Sequence, residues 1–330
     1  MPYRDGAGQM DFKEGTGGIT AMCSMGDFME MYKVDATMQV RTPESIDPER
    51  TNPHAPWACT VHAKAGSGNT IVARVVVQSS EMLKIVTLPS HVNKDKLLLH
   101  MHQIKETLLA CEAVTKRITA SVEEIIEKIK SNKLPRDNFG RGYNPFPHVT
   151  DLVIDANNFL INANKIVRFT TQLPRMFTTL KEDSNFDKLS ETLAAALPPG
   201  TKIIDWVNDQ AESVRRIVDL RNFAEHPKAK RTEISDFTIM PNGQIRVPVW
   251  GFEEPDLMQI DEEMRMIVDY LTTIAEGMFI SCLEQFMERS FPFVLIKNET
   301  LKPECPVLYA YTIDVSQLKF SDNPAPTARG

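Results

Sequence analysis

The spacing of apolar residues changes several times along the chain, and each change marks an element. From Asn93 to Ser131, Leu97, Met101, Ile104, Leu108, Cys111, Ile118, Val122, Ile125 and Ile129 recur in alternating steps of four and three, with Thr115 the one polar gap. That period predicts a single amphipathic helix of about 39 residues, roughly 58 Å long. Leu134-Pro135 is expected to end it, ahead of a Gly/Pro/Asn loop from Asn138 to Pro147. A second helix carries Val149, Leu152, Val153, Ala156, Phe159, Leu160, Ala163, Ile166 and Val167 on one face until Pro174 interrupts it. A third runs from Lys202 to Phe223. A fourth runs from Leu257 to Glu288 on a stripe of Ile260, Met264, Ile267, Leu271, Ile274, Met278 and Cys282.

Elsewhere the period drops to two. Trp57 to Lys64 and Thr70 to Gln78 are β-branched runs joined by Ala65-Gly66-Ser67-Gly68-Asn69, which predicts a hairpin. Glu233 to Ile239 and Gln244 to Trp250 flank Pro241-Asn242-Gly243, a second hairpin, because Asn-Gly suits the positive φ of a type I′ turn. Phe293 to Lys297 and Val307 to Ile313 read as short strands before a Pro- and Ala-rich end. The first 55 or so residues, with Met22, Met25, Met29 and Met31, are weakly patterned.

Together these elements predict an α+β, mainly α protein. Its core is a four-helix up-and-down bundle with an inserted β-hairpin, and a small accessory β-region comes from the N- and C-termini. The expected division is an N-terminal β-hairpin accessory region at 1–90, the helical bundle at 91–290 with the hairpin 233–250 inserted, and C-terminal strands with a flexible tail at 291–330. The nearly strict seven-residue step of the first helix is the period of a packed seam, inside a bundle or across a dimer.

Composition narrows the class. The 330 residues hold 37 Lys+Arg against 44 Asp+Glu, a net charge of −7, with 42% hydrophobic and 25% charged residues. That balance is globular and argues against a general DNA coat or a polybasic membrane binder. No run approaches about 18 consecutive apolar residues, and Met1 to Gly18 is polar, so neither a membrane span nor a secretory signal is expected. The five cysteines are odd in number and scattered, as reduced thiols of a cytoplasmic protein would be. Gly66-Ser67-Gly68 lacks the Gly-Lys-Ser/Thr ending of a phosphate loop, and no dinucleotide fingerprint appears. Cys59 and His62 on a strand, and His100 and His102 on a helix, diverge too far to share a metal. No serine sits on a Gly-flanked strand–turn–helix elbow. No metal and no cofactor is expected.

One constellation remains. The third helix ends Val218-Asp219-Leu220-Arg221-Asn222-Phe223-Ala224-Glu225-His226-Pro227. On a helical wheel Arg221 shares the direction of Ile203, Val207, Val214, Ile217 and Val218, whereas Asp205, Asp209, Glu212, Arg216 and Asp219 lie largely opposite. An arginine so placed keeps its charge and needs a carboxylate, backbone carbonyls or an anionic ligand. Pro227 disfavours helix at the residue before it, which sets His226 just past the helix end.

Arg221-Asn222-Phe223-Ala224-Glu225-His226 resembles the signature of the HEPN superfamily: an arginine, a following polar residue, then a histidine after four to six intervening positions. The resemblance implies a HEPN-like bundle over about Asn93 to Glu288 with the motif near the end of its third core helix. It also implies a homodimer in which two motifs line one cleft, and metal-independent endoribonuclease action by 2′-hydroxyl attack, as in a stress or defence effector. Arg221, Asn222 and His226 would then be catalytic: His226 moving protons, Arg221 stabilising phosphoryl charge and Asn222 orienting one of them. Lys228, Lys230 and Arg231 beside the motif are candidates for binding RNA. Two alternatives stand beside this: a non-catalytic HEPN-like module binding RNA, a nucleotide or a protein, and an unrelated helical scaffold with Arg221 ion-paired.

Overall fold

The computed structural model describes residues 11–178, 180, 186–226, 231–288 and 292–314. It is α+β and mainly helical, and divides into two compact units. One comprises 91–285; the other is discontinuous, formed by 1–90 and 286–330.

In the discontinuous unit, strands β1 (Ala21–Ser24), β2 (Met29–Tyr32), β3 (Thr37–Arg41) and β4 (Ala58–Ala63) form an antiparallel meander in that order. The Met-rich segment that looked patternless thus supplies strands, with Met31 facing Met38 across β2 and β3. The four-residue helix α1 (Pro43–Ile46) lies between β3 and β4. Thr70 to Gln78 is not the second arm of a hairpin. Val72–Val77 form a π-helical turn that runs into α2 (Gln78–Ile85). Asn69 starts this helical stretch, its side-chain carbonyl accepting from the Ile71 N–H at 2.8 Å. Val72, Ala73, Val75, Val76 and Val77 are all buried, and with Arg74 the one polar break the run carries too little period to separate strand from helix.

Gly66-Ser67-Gly68 is a clasp rather than a ligand loop. The Ser67 and Gly68 N–H groups donate to the Lys33 and Val34 carbonyls at 2.8 and 2.9 Å. A Cβ on Gly66 would stand 2.0 Å from the Lys33 carbonyl oxygen, so only glycine permits this approach. The buried Ser67 hydroxyl donates to the Glu304 carbonyl at 2.6 Å, and Gln78 Oε1 accepts from the Leu308 and Tyr309 N–H groups. The C-terminal strands β10 (Phe293–Lys297) and β11 (Tyr309–Ile313) therefore belong to this unit, but among the described strands they pair only with each other. The single accessory sheet expected from both termini is two separate sheets, because helix α2 rather than a strand meets β11.

Among the described residues, the other unit holds five helices where four main ones were expected. These are α3 (Lys94–Lys130), α4 (Leu152–Phe177), α5 (Phe186–Ala196), α6 (Lys202–Glu225) and α7 (Ile260–Phe286). Asn93 caps α3 through its side chain, which accepts from the Lys96 N–H at 2.9 Å. The helix stops before Pro135: Asn132 takes φ 52°, and the Lys133 and Asn132 N–H groups turn back to the Lys128 and Ile129 carbonyls. The stripe is buried as far as Val122, while Ile125 and Ile129 are half-buried. Pro174 does not interrupt α4, which continues to Phe177. The additional α5 buries Phe186, Leu189 and Leu193 at helical spacing and packs on α6, with Asp187 paired to Arg215 at 2.8 Å. Between α6 and α7, β6 (Thr238–Ile239) pairs with β7 (Ile245–Arg246), Gly243 at φ 80° closing the turn. Around them, β5 (Glu233–Ser235), β8 (Val249–Gly251) and β9 (Met258–Gln259) form a three-stranded sheet. Helix α7 is long and apolar enough to cross a membrane, yet two thirds of its most apolar stretch is buried against the rest of the protein.

His100 on buried α3 donates from Nε2 to the Phe169 carbonyl of α4 at 2.8 Å, and burial pushes its pKa below the ordinary value. The folded state therefore holds this imidazole neutral at pH values where an unfolded one takes a proton. Its share of stability is complete above the ordinary histidine pKa and is lost as pH falls from there towards the depressed folded value. Urea unfolding should show the midpoint dropping between pH 7.5 and 5.5, with a shallower drop in His100→Gln.

Candidate functional site

The last turn of α6 carries Arg221, Asn222 and Glu225, with His226 just beyond it. The helix closes at Glu225, and His226 follows with φ −128° and ψ 66°, its N–H donating to the Asn222 carbonyl at 2.8 Å. Thr232 pins the chain where it returns, its hydroxyl donating to the Leu220 carbonyl at 2.7 Å.

The direction of Arg221 differs from the helical-wheel expectation. Ile203, Val207, Val214, Ile217 and Leu220 form the buried stripe, and Arg221 sits at its margin with its side chain 27% exposed. Its Nη2 pairs with Glu225 one turn later on the same helix, and its Nη1 donates to Asn222 Oδ1 at 3.1 Å. The Nε–H is buried and has no acceptor among the described residues. The His226 side chain is 69% exposed, and its Nε2 lies 3.9 Å from the Glu225 oxygen that Arg221 engages. Glu225 thus stands between the arginine and the histidine. The motif folds as a guanidinium, an amide, a carboxylate and an imidazole at one exposed helix end. Arg231 is exposed; Lys228 and Lys230 lie outside the described residues.

What holds this turn in place is a neighbour that the sequence pattern assigned to the solvent face. Arg216, expected among the wet residues of α6, donates from Nε to Glu263 Oε1 of α7 at 2.6 Å and from Nη1 to Asp256 Oδ1 at 2.7 Å. Glu263 Oε2 also accepts from Trp250 Nε1 at 2.6 Å, and both Glu263 and Trp250 are buried. Beside them, Phe252 meets Phe223 edge-to-face at 5.5 Å and lies 5.9 Å beneath the Arg216 guanidinium. The carboxylate of the fourth predicted helix therefore pairs with Arg216, one and a half turns before the motif, and leaves Arg221 to a partner on its own helix. The tryptophan and the carboxylates that gather here lie 34 to 47 residues beyond Arg216, a distance over which no local pattern points to them.

A groove of about 360 Å³ runs between α3 and α7, lined by Glu112, Thr115, Thr119, Arg265, Val268 and Asp269 among others. None of the α6 motif residues lines it. Comparison of the chain with protein-family models, curated proteins and solved structures finds no match in any of the three.

Proposed function

We propose that the chain is a metal-independent endoribonuclease on a HEPN-like bundle, with Arg221, Asn222 and His226 as its chemical groups. The observation that carries this reading is the partly exposed Arg221 guanidinium, held at a helix end beside Asn222 and the accessible His226. An arginine presents a rigid fork matched to phosphate, so the exposed side of this guanidinium suits a phosphodiester oxygen. His226 takes the proton of a ribose 2′-hydroxyl as its oxygen attacks the adjacent phosphorus. The 5′-oxygen leaves with a proton from a second acid, the histidine of a partner copy in a homodimer, and a 2′,3′-cyclic phosphate remains. Arg221 stabilises the charge that builds on the phosphoryl oxygens. Arg231, with Lys228 and Lys230, supplies backbone attraction in an otherwise acidic, cytoplasmic protein of the stress or defence type.

A second reading has its own support. Glu225 already neutralises one edge of Arg221 and separates it from His226, an arrangement suited to a non-catalytic module that binds RNA, a nucleotide or a protein. Incubation of the purified chain with RNA in excess EDTA separates the two. Products ending in 2′,3′-cyclic phosphate support the nuclease. RNA bound but left intact moves the assignment to the binding module.

A further inference from the structure

The connection from α3 to α4 folds into a short hairpin. Arg136 bridges to Tyr143, the Asp137 N–H donates to the Gly142 carbonyl at 3.0 Å, and the Gly140 N–H donates to the Asp137 carbonyl at 3.0 Å. Gly140 takes φ 67°, the left-handed conformation that lets the tip reverse. The Asp137 carboxylate is turned onto the hairpin's own backbone. The N–H groups of Gly142, Arg141, Phe139 and Gly140 hold its pKa below the ordinary value, and the Arg141 nitrogen lies 2.7 Å from Oδ1. At the tip Phe139 is 85% exposed, the most exposed large apolar side chain among the described residues. The Arg136 guanidinium lies 4.2 Å from the centre of the Tyr143 ring, and Tyr143 in turn meets Phe146 edge-to-face at 6.0 Å. From Lys130 to His148 the chain carries Lys130, Lys133, Arg136 and Arg141, all exposed, against Asp137 alone, in a chain of net charge −7. None of the four basic residues pairs with a carboxylate among the described residues.

We propose that this hairpin holds single-stranded RNA, with Phe139 stacked on an unpaired base and Arg136 and Arg141 on flanking phosphates. RNA as the strand rests on the nuclease reading above; stacking and charge attraction require no cleavage. A bare ring and a flat guanidinium are platforms for bases, and unpaired positive charge beside them follows a phosphate backbone. The base must be unpaired, since a duplex already covers both faces of each base. A bilayer fits less well: Phe139 stands between Asn138 and Gly140, and membrane binding scales with the apolar area inserted. The connection is also tethered close to the α6 motif. Its last N–H, from Val149, donates to Asp236 Oδ2 at 2.9 Å, and across β5 from Asp236 the Thr232 hydroxyl bonds to the Leu220 carbonyl. Four residues of strand at about 3.4 Å each keep those two anchors within about 14 Å.

Fluorescence anisotropy of the full chain with a fluorescein-labelled 2′-O-methyl oligouridine of about 12 nucleotides tests this. A methylated 2′-oxygen cannot attack phosphorus, so binding is read apart from cleavage. The unsubstituted chain should bind at low salt, and Phe139→Ala should weaken binding about tenfold without changing its salt dependence. Arg141→Ala should lower the slope of log affinity against log salt by about 0.7. Phe139→Trp should bind at least as tightly as the unsubstituted chain. Phe139 and Arg141 both lie in solvent, so circular dichroism should be unchanged. No binding by the unsubstituted chain, or equal binding by Phe139→Ala, would overturn the proposal. So would equal affinity for the same strand annealed to its complement, or a Phe139 effect on phosphatidylserine vesicles and none on the oligonucleotide. Binding lost in Phe139→Ala, beside no cleavage of RNA by the unsubstituted chain, supports the hairpin and removes the nuclease; cleavage beside unaltered Phe139→Ala binding does the reverse.

Discussion

Arg221→Ala should lower RNA cleavage by about 100-fold or more while leaving the chain folded. The side chain sits at the margin of the α6 stripe, not within it, and its described hydrogen-bond and ion-pair partners, Asn222 and Glu225, belong to the same helical turn. Its removal therefore opens no core cavity and breaks no bond between elements, so the unfolding midpoint should barely move. His226→Ala should act alike, because an imidazole mostly in solvent contributes little packing. Arg221→Lys adds a finer test. It keeps the charge but replaces a forked donor with a point charge, and should recover only part of the lost rate. Initial rates on one RNA substrate in EDTA, measured beside urea unfolding of each variant, check all three. Full activity in both alanine variants would remove this site from the chemistry.

Glu263→Ala should cost about 3–5 kcal/mol of unfolding free energy, read from urea melts at neutral pH. The carboxylate accepts from two Arg216 nitrogens and from Trp250, and its loss leaves the buried indole N–H without its partner. Arg216 retains Asp256, which keeps the loss within this range. Glu263→Gln removes the charge and keeps the shape; it should lose less than the alanine variant. Since Phe252 beside Arg216 also touches Phe223 of the motif turn, both variants should reduce cleavage further than global unfolding alone explains.

Long elements governed by local rules were readable from the chain. The α3 stripe from Leu97 to Val122 is a local pattern, and the expected span, Asn93 to Ser131, falls within a residue of the helix at each end. The α5 signal, Phe186, Leu189 and Leu193, is equally local but spans only 11 residues. The strands β1 to β3 have four or five residues each, too short for an alternation to stand out among methionines. Burial of every residue but Arg74 hid the helix in Val72–Val77. At the candidate site, Pro227 correctly sets His226 one residue past the helix. The partners of Arg221 and Arg216 were not readable, because side-chain torsions and residues 40 to 47 positions away decide them.

The clasp at Ser67 has a consequence for synthesis. Its hydroxyl bonds to a carbonyl 237 residues later, and Gln78 waits for Leu308 and Tyr309. At ribosomal speeds of about 5–20 residues per second, the N-terminal meander emerges roughly 12 to 47 seconds before the strands that complete its unit. Residues 91–285 are made entirely within that interval. The helical unit is the first that can finish on the ribosome, and the unit that begins the chain is the last to be completed.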